Sequence, residues 1–209
     1  MHGGHIVTRA AETGVVIMKL YLSSIPSPVG EILLVVDEQE RVRALDFADY
    51  YARLRRLLRE HYGTYELFDA LAPAAIAEAL SRYFMGELTA LDNVVTATAG
   101  TDLQRRVWKA LRDIPAGQTV SYGELALTLG FQDPRAAIDV GAANGANPVA
   151  IVVPCHRVIG KNGDLKGYAG GVHRKRQLLE HEGALPKAVE SAEAPGSPAC
   201  ANGQLALLS

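Results

Sequence analysis

The chain has 209 residues, of which 48% are hydrophobic, 21 are Lys or Arg and 23 are Asp or Glu, with a formal net charge of -2 at pH 7. This length allows one domain or two small ones with a real core, and the weakly acidic balance means that any contact with nucleic acid must depend on a local basic patch. No apolar run of about 18 residues is free of charges, so we expect no transmembrane helix and no membrane partner.

The first residues lack a basic segment followed by a sustained apolar core, so we predict no secretory signal and treat residues 1–17 as an N-terminal extension. The two cysteines are Cys155 and Cys200. Cys200 lies in a tail rich in Ala, Pro and Ser, residues 185–209, which we predict to be disordered. A disulfide between the two is not expected, and a reducing, cytoplasmic setting fits best.

Residues 18–92 are predicted to form a small α+β domain. The runs KLYLSS, EILLVV and VRALDF are separated by short, turn-rich gaps, which is typical of an antiparallel meander. Two helices should follow, in YYARLRRLLREHY and AAIAEALSRYFMGEL. Their apolar stripes would hold Tyr51, Leu54, Leu57 and Leu58 in the first, and Ile76, Leu80 and Phe84 in the second. No chemistry is recognisable in this region, which favours a scaffold.

Residues 93–100, NVVTATAG, are predicted to link this domain to a second, helical domain at residues 101–184. Thr101 and Gln104 have the spacing of a capping box at the start of its first helix. The buried stripe of that helix should hold Leu103, Val107, Trp108, Leu111 and Ile114.

Two short helices joined by a tight turn are predicted next, which suggests a helix-turn-helix. Ser121 and Glu124 form a second capping box, so one helix should begin near Tyr122. After the turn at GFQ, Asp133 is expected as N-cap with Pro134 at the first helical position. The second helix carries mostly Ala and Gly, which permits either tight packing on a neighbouring helix or close approach to a nucleic-acid groove.

The segment VAIVV is predicted to be a buried, extended run that leads into PCHRVIG. The last helix, GVHRKRQLLEHEG, should end at Gly183. Arg174, Lys175 and Arg176 fall near its start, where cations oppose the helix dipole. They could form a solvated charged end or a phosphate site.

Cys155 could be a metal ligand, an inert buried residue or a nucleophile. No closely spaced Cys or His pair surrounds it, so no metal is predicted. Polar residues directly after an apolar segment favour a nucleophile activated by His156. Adjacent residues of an extended chain point to opposite sides, so a bridging water is needed, with Glu182 or Asp164 orienting the imidazole.

The motif PCHRVIG, preceded by NGANP and followed by GYAGG and LLEHEG, resembles the O6-alkylguanine-DNA alkyltransferases, also called methylated-DNA–protein-cysteine methyltransferases. GTDLQRRVWKAL and SYGELA match the same family upstream, and the first domain is similar more loosely. The resemblance implies a ribonuclease-H-like first domain and a winged-helix-like second domain. It implies no metal or organic cofactor.

The activity implied is repair of O6-alkylguanine in DNA by single-turnover transfer of the alkyl group to Cys155, with O4-alkylthymine open as a second substrate. His156 would act as base through a water, and Glu182 would polarise it. Asn147 would brace the site loop, and Tyr122 would donate a proton to the leaving guanine.

The resemblance also implies how the substrate is bound. Double-stranded DNA would bind a monomer through the minor groove, and the target base would be flipped out of the duplex. Tyr168 and Gly170 would line the base pocket, and the carbonyls of Cys155 and Val158 would contact the base edge. The expected DNA-binding residues are Arg135, Ala136, Ile138, Gly141, Arg157 and Arg174.

Two adjacent positions depart from the family pattern. Members usually carry an arginine in a stretch like AARAVG, where this chain has AAIDVG, so Ile138 and Asp139 stand there. An apolar wedge can fill the stack but cannot hydrogen-bond the orphaned base, which predicts weaker DNA binding or slower flipping. Two alternatives stay open: an alkyltransferase-like lesion-binding protein, a class that replaces the cysteine of PCHR, and a diverged thiol enzyme acting on small electrophiles.

Overall fold

A computed structural model describes residues 17–186. The predictions for the extreme N-terminus, the C-terminal tail and Cys200 lie outside these residues. None of the helices between residues 17 and 186 has the length and apolar character to cross a membrane.

The N-terminal half is built on a four-stranded sheet. Strands β1 (Met18–Ile25), β2 (Ile32–Val36) and β3 (Val42–Phe47) are antiparallel neighbours, which confirms the meander. A fourth strand, β4 (Tyr65–Asp69), was not predicted and pairs parallel to β1, so the sheet order is β3-β2-β1-β4. Its sequence, YELFD, has no buried residue, so no apolar alternation indicated it.

Two helices pack with this sheet, α1 (Tyr51–Tyr62) and α2 (Ala74–Phe84). In α1 the three leucines are buried as predicted, but Tyr51 is 41% exposed and does not belong to the buried stripe. Helix α2 ends at Phe84, before the predicted Leu88, and it buries Tyr83, which its apolar spacing did not indicate.

The C-terminal half holds α3 (Asp102–Arg112), α4 (Tyr122–Thr128), α5 (Ala136–Gly145) and α6 (Val172–His181), with a short parallel pair of strands, β5 (Val120–Ser121) and β6 (Val158–Ile159). Both capping boxes are confirmed: each has its side chain–backbone bonds in both directions, at the starts of α3 and α4. These caps fix where the two helices begin.

Helix α5 begins two residues later than predicted. Asp133 caps a turn rather than the helix, because its carboxylate accepts the backbone N–H of Arg135 at 2.9 Å. The small residues of α5 allow close packing on α3 and α4: Trp108 Nε1 donates to Ala143 O at 2.8 Å, and a Cβ on Gly141 would lie 3.6 Å from the Tyr122 ring. Helix packing therefore accounts for the inward side of α5.

The VAIVV segment is buried as predicted, but it is not extended. Val149 makes an isolated bridge to Leu45, residues 150–152 then form turns, and Ile151 has φ +67°, which is uncommon for a β-branched residue. The backbone of Leu45 in β3 holds these turns, since it donates to Pro148 O and accepts from Ala150 N, both at 2.9 Å. The following residues, Cys155–Arg157, form a 3-10 turn.

The two halves share one hydrophobic core, which includes residues of β2, β3, α2, α3 and the turns before Cys155. The predicted linker is tied to the sheet, because Val42 donates to Val95 O and accepts from Ala97 N at 2.9 Å each. Side chains of the N-terminal half can therefore reach the surroundings of Cys155.

Candidate active site

Cys155 lies at a pocket of about 380 Å³, and only 5% of the residue is exposed. It begins the 3-10 turn, so the chain bends where an extended run was predicted. The walls come from α4, α5, this turn and the loop before α6, and the lining residues are Tyr122, Gly141, Asn144, Gly145, Cys155, Gly167, Tyr168 and Ala169.

Next to the cysteine, His156 and Glu182 form a fully buried pair. His156 Nε2 lies 2.9 Å from Glu182 Oε1. A carboxylate only accepts hydrogen bonds, so Nε2 carries the proton and Nδ1 is left as an acceptor. Nδ1 is buried and has no hydrogen-bond partner within residues 17–186. Of the two predicted orienting acids, Glu182 has this role, while Asp164 is exposed and faces Lys166.

Arg157, an expected DNA-binding residue, also binds Glu182 inside the site. Its Nε donates to Glu182 Oε2 at 2.9 Å, its Nη2 donates to Oε1 at 2.8 Å, and its Nη1 donates to Ile114 O. A buried guanidinium bound twice to one carboxylate is not available to a phosphate, and withdrawing it would leave a buried charge unpaired.

The charges of the site follow from burial and these bonds. Burial raises the pKa of the Cys155 thiol, against smaller opposing effects of Asn147, Arg53 and Lys175. Burial lowers the pKa of His156. Burial alone would raise the pKa of Glu182, but hydrogen bonds from His156 and the Arg157 guanidinium lower it well below its usual range. At rest the thiol and imidazole are therefore neutral and the carboxylate is charged.

Comparison with known proteins identifies the family. Family models match residues 20–97, as the ribonuclease-like domain of 6-O-methylguanine DNA methyltransferase, and residues 102–184, as its DNA binding domain. The chain belongs to the 6-O-methylguanine DNA methyltransferase family. The resemblance drawn from PCHRVIG and its flanking motifs is thus confirmed.

Individual relatives agree with the family model. The methylated-DNA–protein-cysteine methyltransferase of Salmonella typhimurium is 52% identical over 170 residues, which are 80% of this chain and 98% of that protein. Mycobacterium tuberculosis OGT in complex with DNA has a TM-score of 0.65 and 41% identity, covering 79% of this chain and 93% of that one. The O6-methylguanine-DNA methyltransferase of Pyrococcus kodakaraensis has a TM-score of 0.62 and 27% identity, covering 78% and 99%. The α+β fold class is confirmed.

Two of the three cations at the start of α6, Arg174 and Lys175, are buried. Neither the solvated charged end nor the phosphate site that the sequence suggested describes these two residues. Lys175 is fully buried, and its Nζ donates to Val158 O at 2.6 Å, Lys166 O at 3.2 Å and Gly167 O at 3.4 Å. Burial lowers its pKa to about 8. Its charge therefore draws together three carbonyls, of which that of Gly167 belongs to a residue that lines the pocket, while Val158 lies behind the wall.

Arg174, an expected DNA-binding residue, joins the two halves of the family fold, and its guanidinium is occupied by partners within the protein. Its Nε donates to Val29 O at 2.8 Å, its Nη1 donates to Gly170 O at 3.0 Å, and the guanidinium lies 4.3 Å from the centre of the Phe47 ring. Asp49 accepts at 2.9 Å from the more exposed side.

The remaining expected pocket residues divide into lining and supporting positions. Tyr122 and Tyr168 line the pocket, and burial raises the pKa of both hydroxyls, which stay protonated near neutral pH. Gly170 does not line it: a Cβ there would lie 2.4 Å from the Phe47 ring, so this position allows close packing behind the wall. Asn147 spans the turn before Cys155, donating to Val153 O at 2.8 Å and accepting from Val149 N at 3.0 Å.

The outward face at the start of α5 carries most of the other expected DNA contacts. Arg135 is exposed, Ala136 is half-buried and Ile138 is 74% exposed. Gly141, one turn further, borders the Cys155 pocket. This face and the pocket therefore adjoin on the same side of the molecule.

Arg53 of α1 supports the site, although sequence patterns did not indicate it. It pairs with the buried carboxylate of Asp46, and its Nη2 donates to Gly145 O at 3.3 Å and Asn147 O at 3.0 Å. In the sequence it is one arginine of a strongly charged helix, a pattern typical of a solvated surface. Among the residues that the structure describes, no group of three or more His, Cys, Asp or Glu side chains could hold a metal.

Proposed function

We propose that Cys155 is the alkyl acceptor of a DNA repair protein that removes alkyl groups from O6-alkylguanine, one group per molecule. The observation that carries this proposal is the buried thiol at a pocket beside a His156–Glu182 pair whose free ring nitrogen is an acceptor. The name of the Salmonella relative, methylated-DNA–protein-cysteine methyltransferase, supports the same reaction.

The reaction is a single displacement. The thiol proton passes through a water to His156 Nδ1, and the charged Glu182 stabilises the imidazolium that forms. The thiolate attacks the alkyl carbon, so that an S–C bond forms while the bond from carbon to guanine O6 breaks. Tyr122, whose hydroxyl is protonated at neutral pH, donates a proton to the departing base. The product is a thioether, which is not readily reversed, so each molecule reacts once.

DNA is the proposed partner, bound by the monomer through the minor groove with α5 as the inserted element. The pocket supports flipping of the target base, because a thiol that is 5% exposed cannot reach a base inside a duplex. The complex of Mycobacterium tuberculosis OGT with DNA supports the partner.

The test is to incubate the protein with a duplex containing O6-methylguanine and to measure the intact mass and the modified peptide. We expect one methyl group on Cys155 and none in the Cys155→Ser variant. Tight binding without a mass change would instead indicate a lesion-binding protein. Reaction with free O6-benzylguanine but not with the duplex would indicate a thiol enzyme acting on small electrophiles. A duplex containing O4-methylthymine tests the second substrate.

Because of Ile138, we expect this protein to bind DNA more weakly, or to flip the target base more slowly, than family members that carry an arginine there. The side chain is 74% exposed at the proposed DNA face, and Asp139 beside it brings a negative charge towards the phosphates. An arginine there can hydrogen-bond the orphaned base, and such contacts are worth about 1–3 kcal/mol. We therefore expect Ile138→Arg to raise the rate of duplex repair by about fivefold or more.

The control for this substitution is reaction with free O6-benzylguanine, which needs no flipping and should be unchanged. Ile138→Ala should bring no gain on the duplex. Equal duplex rates for Ile138→Arg and the unaltered protein would contradict the expectation.

A further inference from the structure

A tyrosine from the N-terminal half reaches the buried acid of the site. Tyr83, on α2, is 1% exposed, and its hydroxyl lies 2.7 Å from Glu182 Oε1. The two residues are 99 positions apart in the sequence. Sequence patterns assigned no chemistry to this half of the chain.

The contact fixes which group donates. The carboxylate of Glu182 is charged, so Tyr83 must donate its proton to it. Oε1 then receives three donors, from Tyr83, His156 and Arg157, while Oε2 receives one from Arg157. Tyr83 and His156 therefore donate to the same oxygen of Glu182, and the hydrogen bond from one weakens the attraction of that oxygen for the proton of the other.

The tyrosine is held rigidly at both ends by neighbouring residues of the C-terminal half. Its backbone carbonyl accepts from His181 Nε2 at 2.8 Å, and the two rings meet edge to face at 5.0 Å. Its hydroxyl binds the next residue, Glu182. A movement of α2 relative to the end of α6 would change the distance from the hydroxyl to the carboxylate.

We propose that Tyr83 is a positioning residue that sets how strongly Glu182 attracts a proton on His156, so that the N-terminal half tunes activation of the thiol. The inference rests on the proposed roles of Cys155, His156 and Glu182. With the hydroxyl in place, part of the charge of Oε1 is neutralised and the imidazolium is stabilised less. Without it, more of that charge faces His156, and the ring holds a proton up to a higher pH.

The other titratable groups around the pair stay the same when the hydroxyl is removed. Arg157 lies on the same turn as His156, Lys175 and His181 come from α6, and Cys155 and Tyr168 lie on the pocket side. A change confined to the Tyr83 hydroxyl therefore isolates its effect on His156.

The test is the pH dependence of single-turnover methyl transfer from an O6-methylguanine duplex to Tyr83→Phe. The rate falls on the acid side as His156 becomes protonated, and we expect this limb to move to higher pH by about half a unit to one unit. On the limb the variant would then be about three to ten times slower than the unaltered protein. At the plateau its rate should stay within about twofold.

Tyr62→Phe is the matched control. Its hydroxyl also lies in the N-terminal half, but it donates to the carbonyls of Arg43 and Ala97 and not to Glu182. This variant should leave the acid limb in place. An unmoved limb in Tyr83→Phe, or an equal slowing of both variants at every pH, would overturn the inference.

A second variant keeps the shape of the side chain. A 3-fluorotyrosine placed at position 83 is a stronger donor, so the limb should move to lower pH, and movement in the other direction would also overturn the inference. If the unaltered protein places no methyl on Cys155, the proposed function fails. If the unaltered protein does place a methyl group on Cys155, but its acid limb coincides with that of Tyr83→Phe, only the proposed role of Tyr83 fails.

Discussion

Replacing Arg174 by Met distinguishes a structural cation from a DNA contact. The sequence places Arg174 beside Lys175 and Arg176 at the start of a helix, which suggested a phosphate site. In the structure its guanidinium binds Val29 O and Gly170 O and covers the Phe47 ring. Met retains much of the apolar stem but none of the hydrogen-bond donors, so we expect Arg174→Met to lower the free energy of unfolding.

The magnitude follows from these contacts. Hydrogen bonds to charged groups contribute about 1.5–3 kcal/mol each, and stacking of a desolvated guanidinium on a ring about 1–2 kcal/mol. The pair with Asp49 adds little, because that carboxylate is 55% exposed. Contacts within one cluster do not add fully, so we expect a loss of roughly 3–5 kcal/mol. At about 2–4 °C per kcal/mol, the unfolding midpoint should fall by roughly 10 °C.

The assay is thermal and urea unfolding followed by the fluorescence of Trp108, the single tryptophan of the chain. The matched control is Arg176→Met, since that side chain is 55% exposed and faces Glu180 at 3.6 Å, so the same substitution should change stability by less than about 0.5 kcal/mol. Duplex affinity is then measured over a salt series. If Arg174→Met is as stable as the unaltered protein, and the slope of log affinity against log salt concentration falls in magnitude by about one, then Arg174 contacts phosphate. That result would refute the structural role argued for Arg174.

Two further outcomes are expected. Arg53→Met should lower the free energy of unfolding by about 3–5 kcal/mol, because it leaves the buried carboxylate of Asp46 unpaired; if adding Asp46→Asn recovers no stability, this explanation is wrong. The rate of methyl transfer should stay level as the pH falls to the ordinary histidine pKa of 6.5, because burial lowers the pKa of His156 and keeps the base neutral there. An acid limb centred above pH 6.5 in single-turnover kinetics would contradict that expectation.

Local sequence signals were sufficient for much of the fold. A capping box depends on residues three apart, so Thr101 with Gln104 and Ser121 with Glu124 could be recognised from spacing alone. The buried leucines of α1 follow from helical periodicity. These features need no knowledge of what lies elsewhere in the chain.

Features fixed by distant residues could not be predicted in this way. The run VAIVV, residues 149–153, looks like a strand in sequence because every residue is apolar. Only Val149 pairs as a strand residue does, in a bridge to Leu45 about a hundred positions earlier. The chain turns directly after it, where Val152 N donates to Ala150 O at 2.8 Å and Val153 N donates to Val149 O at 3.0 Å. Strand β4 is equally non-local, since it lies parallel to β1 and carries no buried alternation.

The cations show the same limit. From sequence alone, Arg and Lys are expected on the surface, yet Arg157, Arg174 and Lys175 are buried. Arg157 and Arg174 bind carbonyls on segments far away in sequence, and Lys175 binds carbonyls of the preceding loop and strand. The family motif located the stretch that holds them but could not tell a contact with DNA from a contact with carbonyls. That difference depends on the direction of each side chain, which only the assembled fold decides.

The site is consequently distributed over both halves of the chain, although the motifs that resemble the family's site lie in the second half. Arg53 holds the carbonyls of Gly145 and Asn147, and Tyr83 donates to Glu182. Without the first half, a buried carboxylate would lose one of its donors and the turn before Cys155 would lose its bonds to the sheet. Because unpaired buried polar groups are costly, that turn would rearrange, and the geometry of the thiol depends on it. The first half therefore contributes direct contacts to the residues of the site.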